Sequence, residues 1–184
     1  VLQATVELLR ERNADAIKMS DIAQRMDASV GGLYRYYSSK EAILAALQIQ
    51  ALDQLQTVLK WCIEENLELE GGYTWSMVET LFDAWIIFER EAPTLAMLLD
   101  RFSVRSAAIL TPEDQSLVGR KIFETLDILK ETIEALTAHD VLSPSNPNIR
   151  AFCLWGIVFG FLQLRRRQRA GMAELPLSEI RLNY

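Results

Sequence analysis

A chain of 184 residues, half of them hydrophobic and 9% aromatic, can bury one sizeable core or a small domain joined to a larger one, and it is too apolar to remain disordered. Its net charge of −6 taken whole argues against a polyanionic partner, but residues 1–52 hold six Lys/Arg and six Asp/Glu and sum to zero, so all of the acidity belongs to the remainder. Two cysteines, Cys62 and Cys153, lie far apart with no CxxC and no His/Cys ligand spacing; this excludes the common metal centres and reads as two buried free thiols.

The first residues, VLQATVELLRER, place Val1, Leu2, Val6, Leu8 and Leu9 at helical spacing. They predict a helix over 1–12 that ends near Asn13, with an N-terminal piece expected to precede it. After a short connection at 14–18, a second helix is expected over 19–26, with Ile22, Ala23 and Met26 on one apolar face. Its cap is either Ser20, or Lys18 with Asp21 in the first turn. Asp27, Ala28 and Ser29 suit a turn and a cap. A third short helix is expected from Val30 to about Tyr37. It carries Gly31, Gly32, Arg35 and three tyrosines but offers the core little beyond Leu33 and one of Tyr34 or Tyr37. A helix that small and that polar is built to be presented to something. The missing side chains of Gly31 and Gly32 either let its backbone approach a phosphate or base edge or pack tightly on a neighbouring helix.

Ser38 with Glu41 fits a capping box, and Ser39 is the alternative cap. The free N–H groups of that N-terminus beside Lys40 make an anion site, against which stands a solvated lysine. The helix they open is expected over 40–66 with a long apolar stripe, followed by an acidic loop over 64–72 ending in Gly71-Gly72. An unusually aromatic helix is expected over 73–91. Others follow over 94–110, over 112–138 capped by Thr111-Pro112, and over 148–169. A last one is expected at 175–184. Residues 151–164, AFCLWGIVFGFLQL, are shorter than the roughly 20 apolar residues a membrane span requires. They read as a buried helix, with the cytoplasm as the default compartment and no membrane partner. No strand pattern is present, so the fold class is all-α with about nine helices.

The first 50 or so residues resemble the DNA-binding domain of TetR/AcrR-family repressors. The resemblance is carried by VLQATVELL, by Asp21-Ile22-Ala23, by the turn before Ser29, by Gly31-Gly32-Leu33-Tyr34 and Tyr36-Tyr37, and by Ser39-Lys40-Glu41-Ala42-Ile43-Leu44. The chain departs from that family at Asp27, where glycine is frequent, and at Lys18, where a serine or threonine commonly caps. The resemblance implies a three-helix helix-turn-helix domain over 1–46 and a helical ligand-binding and dimerisation domain over 47–184. It also implies a homodimer that reads a palindromic double-stranded operator and is released by a hydrophobic small molecule. On this reading Val30, Gly31, Gly32 and Arg35 are the base-reading candidates, Arg35 forking onto a guanine or holding a phosphate. Tyr34, Tyr36, Ser39 and Lys40 position phosphates, and Ser29 caps the reading helix.

An effector pocket is expected from Tyr73, Trp75, Phe82, Trp85 and Phe88 on one helix, Phe152, Trp155, Phe159 and Phe161 on another, and Met97 and Phe102 between them. Ordinary core packing is the competing reading of each. Gly156 and Gly160, spaced GxxxG, allow close helix approach in the core or across a dimer seam. The alternative function is a DNA-binding architectural or division protein on the same fold without an effector; a cavity in the second domain favours the first reading and a filled core the second. An enzyme is not expected: one histidine, His139, stands in a Ser/Pro-rich loop without GxSxG, phosphate loop or carboxylate cluster. No cofactor and no metal are implied.

Overall fold

The computed structural model describes residues 1–99 and 110–169, with side chains through Arg166. All of the regular structure described is helical, and it falls into a small N-terminal head and a larger helical body.

The head is α1 (Leu2–Glu11), a 3-10 turn (Ala14–Ala16), α2 (Met19–Arg25) and α3 (Val30–Tyr34). Leu8 and Leu9 of α1, Ile17, Ile22 and Ala23 of α2 and Leu33 of α3 are buried against Ile43, Leu44 and Leu47 at the start of α4 (Lys40–Glu70). Lys18 sits at the N-cap of α2. Lysine has no acceptor to offer the first turn, so the cap is one-sided: the Asp21 carboxylate accepts from the Lys18 backbone N–H at 2.9 Å. Arg25 binds Glu11 through two oxygens at 2.7 and 2.8 Å and reaches Glu7 at 3.4 Å, stitching α2 to α1. The Glu11 hydrogen bond foremost holds that guanidinium above its ordinary pKa.

The turn after α2 is a Schellman closure. Asp27 takes φ 51°; its N–H bonds the Gln24 carbonyl at 3.1 Å, and the Ala28 N–H bonds the Ala23 carbonyl at 2.9 Å. An L-residue with a short polar side chain tolerates that geometry but is not relaxed in it. The same closure ends the later helix α7 (Pro112–Ala138), where Asp140 takes φ 59° and the Val141 N–H reaches the Leu136 carbonyl at 2.9 Å.

Helix α4 has 31 residues and is therefore roughly 46 Å long. It extends past the expected end: residues 64–70, read from sequence as an acidic loop, complete the helix, and Gly71 at φ 70° terminates it. Glutamate and leucine are good helix formers, and the run lacks a breaker before the two glycines. The body packs on the second half of α4. Helix α5 (Ser76–Glu91) starts three residues later than expected, after a turn in which Asn66 donates to Ser76 at 2.9 Å. Helix α6 is described over 93–99. Helix α7 (Pro112–Ala138) is capped by Thr111, whose hydroxyl accepts from the Asp114 N–H, with Pro112 in the first turn as expected. Helix α8 (Pro147–Arg169) begins one residue early because the Asn146 side chain accepts from the N–H groups of Asn148 and Ile149. Gln56 donates to Thr125 at 3.0 Å and Asp53 pairs with Lys121 at 2.6 Å, fastening α4 to α7.

Three expectations are corrected. Helix α3 stops at Tyr34 and only a turn continues it. Cys62 is a buried free thiol, pushed up in pKa mainly by burial, but Cys153 is exposed. Helix α8 is not a buried helix: within its apolar stretch, 147–166, only Ala151, Val158 and Leu162 are buried. By length and composition that stretch could cross a membrane; Ala151, Val158 and Leu162 instead face the core. The helix expected at 175–184 lies outside the described residues.

Two substitutions test the head's local geometry by chemical denaturation. Asp27→Gly is expected to raise stability by up to about 1 kcal/mol and Asp27→Val to lower it by about 1–2 kcal/mol. Lys18→Ser supplies the missing acceptor and is expected to add about 0.5–1 kcal/mol.

Candidate nucleic-acid interface

The second helix of the head is held by a cap at its start and a single apolar anchor in its middle. The Ser29 hydroxyl accepts from the Gly32 N–H at 3.0 Å, and Leu33 alone of α3 is buried. Everything else on α3 faces outward. Val30, Gly31, Tyr34, Arg35 and Tyr36 are exposed, Tyr36 at 76%. Tyr37 turns inward and packs against the core, which settles which tyrosine the core takes. A Cβ placed on Gly31 meets no atom within 4 Å, and one on Gly32 meets only the Ser29 hydroxyl at 3.1 Å and the far end of Arg35. The glycines therefore do not serve close packing on a neighbouring helix. They bare the helix backbone on its outer side.

The cations of the head divide sharply. Arg25 is spent on Glu7 and Glu11, Arg12 lies 3.5 Å from Asp21, and Arg10 donates to Thr94 of α6 at 3.4 Å. Lys18 and Arg35 make no ion pair among the described residues. A zero net charge over the head thus conceals an exposed reading helix whose one guanidinium is uncommitted. An uncommitted guanidinium beside two aromatic hydroxyls and a bare backbone can fork onto a base edge or a phosphate.

Lys40 has a partner within the chain. Its ammonium donates to the Ala14 carbonyl at 3.1 Å, tying the start of α4 to the 3-10 turn. Ser39, the alternative cap, is the one used: its hydroxyl accepts from the Ala42 N–H at 3.1 Å. Both residues are half-buried. An open groove of about 840 Å³ runs along the same side of the head between the start of α1 and α3, lined by Leu2, Met26, Ser29, Gly32, Arg35 and Tyr36.

In the body, three of the expected pocket residues converge. Trp85 meets Trp155 edge-on at 4.9 Å and Phe159 at 5.1 Å, while Trp155 and Phe159 stack at 5.0 Å. Trp85, Phe88 and Phe159 line a cavity with Ala96, Leu99, Leu162 and Arg166, but it encloses only about 10 Å³. Phe82, Met97 and Phe161 are half-buried and do not line it. Trp75 and Phe152 do not line it; both are more than half exposed. Tyr73 stacks on His139 at 5.1 Å instead. Phe102 lies outside the described residues. Sequence reasoning missed two polar residues here. Glu89 is buried and accepts from Arg166 Nε at 2.9 Å, with Arg165 at 3.9 Å. Glu89 lies one turn after Trp85, and no local spacing signals its pairing with Arg166 on another helix.

The described residues are all helical in their regular structure, and the head's capped, exposed second helix has the geometry of a helix-turn-helix. The description "Bacterial regulatory proteins, tetR family" matches residues 1–47, so the head is similar to the N-terminal domain of that family. The transcriptional repressor KstR of Rhodococcus jostii (strain RHA1) is 27% identical over 139 residues, covering 66% of this chain and 65% of that protein. The fatty acid degradation regulator FadR from Bacillus halodurans superposes with a TM-score of 0.71 at 14% identity, over 92% of this chain and 83% of that one. AibR in complex with isovaleryl coenzyme A and operator DNA superposes with a TM-score of 0.63 at 18% identity, over 86% and 81%. The chain spans about half to two thirds of the length of the curated relatives it matches.

The two conspicuous cations of the head are separable by thermodynamics. Lys40→Ala is expected to lower head stability by about 1 kcal/mol through the lost carbonyl contact. Arg35→Ala, which removes no contact of this kind, is expected to change it by less than about 0.5 kcal/mol. Denaturant unfolding of both variants reads the difference.

Proposed function

We propose that this chain is a ligand-responsive transcriptional repressor that binds a palindromic operator as a homodimer and releases it when a hydrophobic small molecule enters the body. The proposal assigns DNA reading to residues 1–46 and effector binding with dimerisation to 47–184, and it places the protein with the chromosome in the cytoplasm. The observation that carries it is α3: Arg35 uncommitted, Gly31 and Gly32 bare, Tyr34 and Tyr36 exposed. In the groove, Val30, Gly31, Gly32 and Arg35 take the base edges, and Tyr34, Tyr36 and Ser39 the phosphates. Lys40 acts on DNA through its position at the start of α4, holding the head's shape as well as adding charge.

The dimer reading is supported by α8. Ile149, Phe152, Cys153, Gly156, Ile157 and Leu164 are all exposed and fall within one arc of the helix at 100° per residue. A monomer would leave this contiguous apolar face in water, and neither Gly156 nor Gly160 has an atom within 4 Å of an added Cβ, so a second helix can approach there closely. A second copy of the chain fits: the two heads of a dimer then read half-sites about 34 Å apart.

Effector coupling is supported by α6. Its Thr94 touches Arg10 of the head, and two and five residues on, Ala96 and Leu99 line the cavity of the body. A change in the cavity that shifts α6 therefore reaches α1 directly. The relatives' names point the same way: KstR is a repressor, FadR regulates fatty acid degradation, and AibR is complexed with an acyl-coenzyme A and operator. The second reading, a DNA-binding protein without an effector, is favoured by one observation, the near-filled interior of about 10 Å³. Against it stands the polar content of that interior, which a purely structural core does not need.

Selection of bound duplexes from a random pool tests the proposal. A two-fold-symmetric site is expected; enrichment of no sequence overturns the operator reading. Arg35→Ala is expected to reduce preference for the selected site by roughly 10-fold or more, whereas Tyr36→Ala lowers affinity for all duplexes alike. Ile157→Glu is expected to convert a dimer to a monomer in sedimentation experiments while leaving the helical circular dichroism intact.

A further inference from the structure

The interior cavity of the body has an unusual polar composition. Six of its seven lining side chains are apolar, and the seventh is Arg166. One of the apolar six, Trp85, is 1% exposed, and its indole Nε1 has no hydrogen-bond partner. A buried indole N–H almost always finds an acceptor, because leaving one unmet costs roughly 1–3 kcal/mol. The two lining residues with polar side-chain atoms, Trp85 and Arg166, bring donors only, since neither indole nor guanidinium can accept. The site is therefore mismatched as it stands. It contains a donor that wants an acceptor and apolar walls that want an apolar body.

Glu89 explains how the guanidinium is aimed. It lies one turn beyond Trp85 on α5, is buried, and accepts from Arg166 Nε at 2.9 Å. Arg165 lies 3.9 Å from its other oxygen. The Nε bond restrains the guanidinium beside a cavity that Phe159 and Leu162 of the same helix also line. Arg166 is thus a positioned donor at an apolar cavity, not a surface charge.

We propose that this cavity is the effector's head-group site and that the effector is an aliphatic acid or acyl derivative, its acceptor oxygens taken by Trp85 Nε1 and Arg166 and its chain by Phe88, Leu99, Phe159 and Leu162. This rests on the effector reading above and names its chemistry. The enclosed volume of about 10 Å³ admits no chain, so binding opens the cavity by displacing its walls, and α6 is the wall that also touches Arg10. A donor-only site discriminates by head group: it accepts a carboxylate, tolerates a hydroxyl that can turn its lone pairs inward, and rejects an ammonium, which brings only further donors.

The test is equilibrium binding of the full chain to straight-chain carboxylates of six to sixteen carbons and to the alcohols, methyl esters and primary amines of the same lengths, below their aggregation concentrations. It is read by tryptophan fluorescence and by the shift of the unfolding midpoint. The expected order is carboxylate tightest, ester and alcohol intermediate, amine weakest, with at least about tenfold between carboxylate and amine. An ester as tight as the acid assigns the effector to acyl derivatives, whose carbonyl is then the recognised group, and supports the same site. Trp85→Phe and Arg166→Gln are each expected to collapse the preference among head groups. Because Arg166→Gln strands the buried Glu89, the double variant Glu89→Gln with Arg166→Gln is measured alongside and is expected to lose the preference while remaining folded. Amines binding as tightly as acids, or a preference that survives in Trp85→Phe and the double variant, overturns the head-group site while leaving an apolar effector standing. Binding of no compound in the series overturns both, and operator selection then judges the DNA reading on its own.

Discussion

Helix α4 is the constraint on which the rest of the molecule depends. Its first three turns are core of the head, through Ile43, Leu44 and Leu47, and the same unbroken helix is core of the body, through Leu52, Leu55 and Leu59. No glycine, proline or loop separates the two uses. A head mounted on a continuous helix cannot swing freely; it moves when the rod moves. The Lys40 tie to Ala14 and the Ser39 cap fix the rod's near end to the head. The Gln56–Thr125 hydrogen bond and the Asp53–Lys121 pair fix its middle to α7. At 2.6 Å to Asp53 and 2.8 Å to Glu124, the Lys121 ammonium is held above its ordinary pKa, the Asp53 bond contributing most.

That geometry makes α6 the informative second path. The Arg10–Thr94 hydrogen bond joins α6 to the head independently of the rod. The α6 path begins at the cavity wall, because Ala96 and Leu99 belong to the helix that carries Thr94, whereas α4 contributes none of the lining. A displacement of α6 therefore reaches the head through Arg10, beside the rigid connection through α4.

Much of the head was legible in the sequence because its elements are fixed locally. The Ser29 cap, the Leu33 anchor, the outward tyrosines and the turn at Asp27 follow from spacing of four residues or fewer. What was not legible was non-local. Nothing near Lys40 in sequence reveals that its ammonium reaches a carbonyl 26 residues earlier, and an ammonium beside a helix start looks the same whether it faces solvent, phosphate or backbone. The end of α4 was misread for the opposite reason: seven residues rich in glutamate look like loop by polarity, while their helix propensity is high and only Gly71 stops them. In the body, aromatic content pointed to the right helices but not to the right faces. Trp85, Trp155 and Phe159 converge, while Trp75 and Phe152 lie outside, because hydrophobicity alone does not tell an interior face from a surface awaiting another chain.

The apolar face of α8 also has a consequence for when the protein works. If burial of Ile149, Phe152, Ile157 and Leu164 is completed only by a second copy, then part of each subunit's folding free energy is a bimolecular quantity and scales with the logarithm of concentration. Dilution would then loosen the fold and separate the reading heads in one step. Such a chain measures its own abundance: below a threshold it is both unpaired and more easily unfolded, and control of its synthesis becomes a second input to the switch alongside any small molecule.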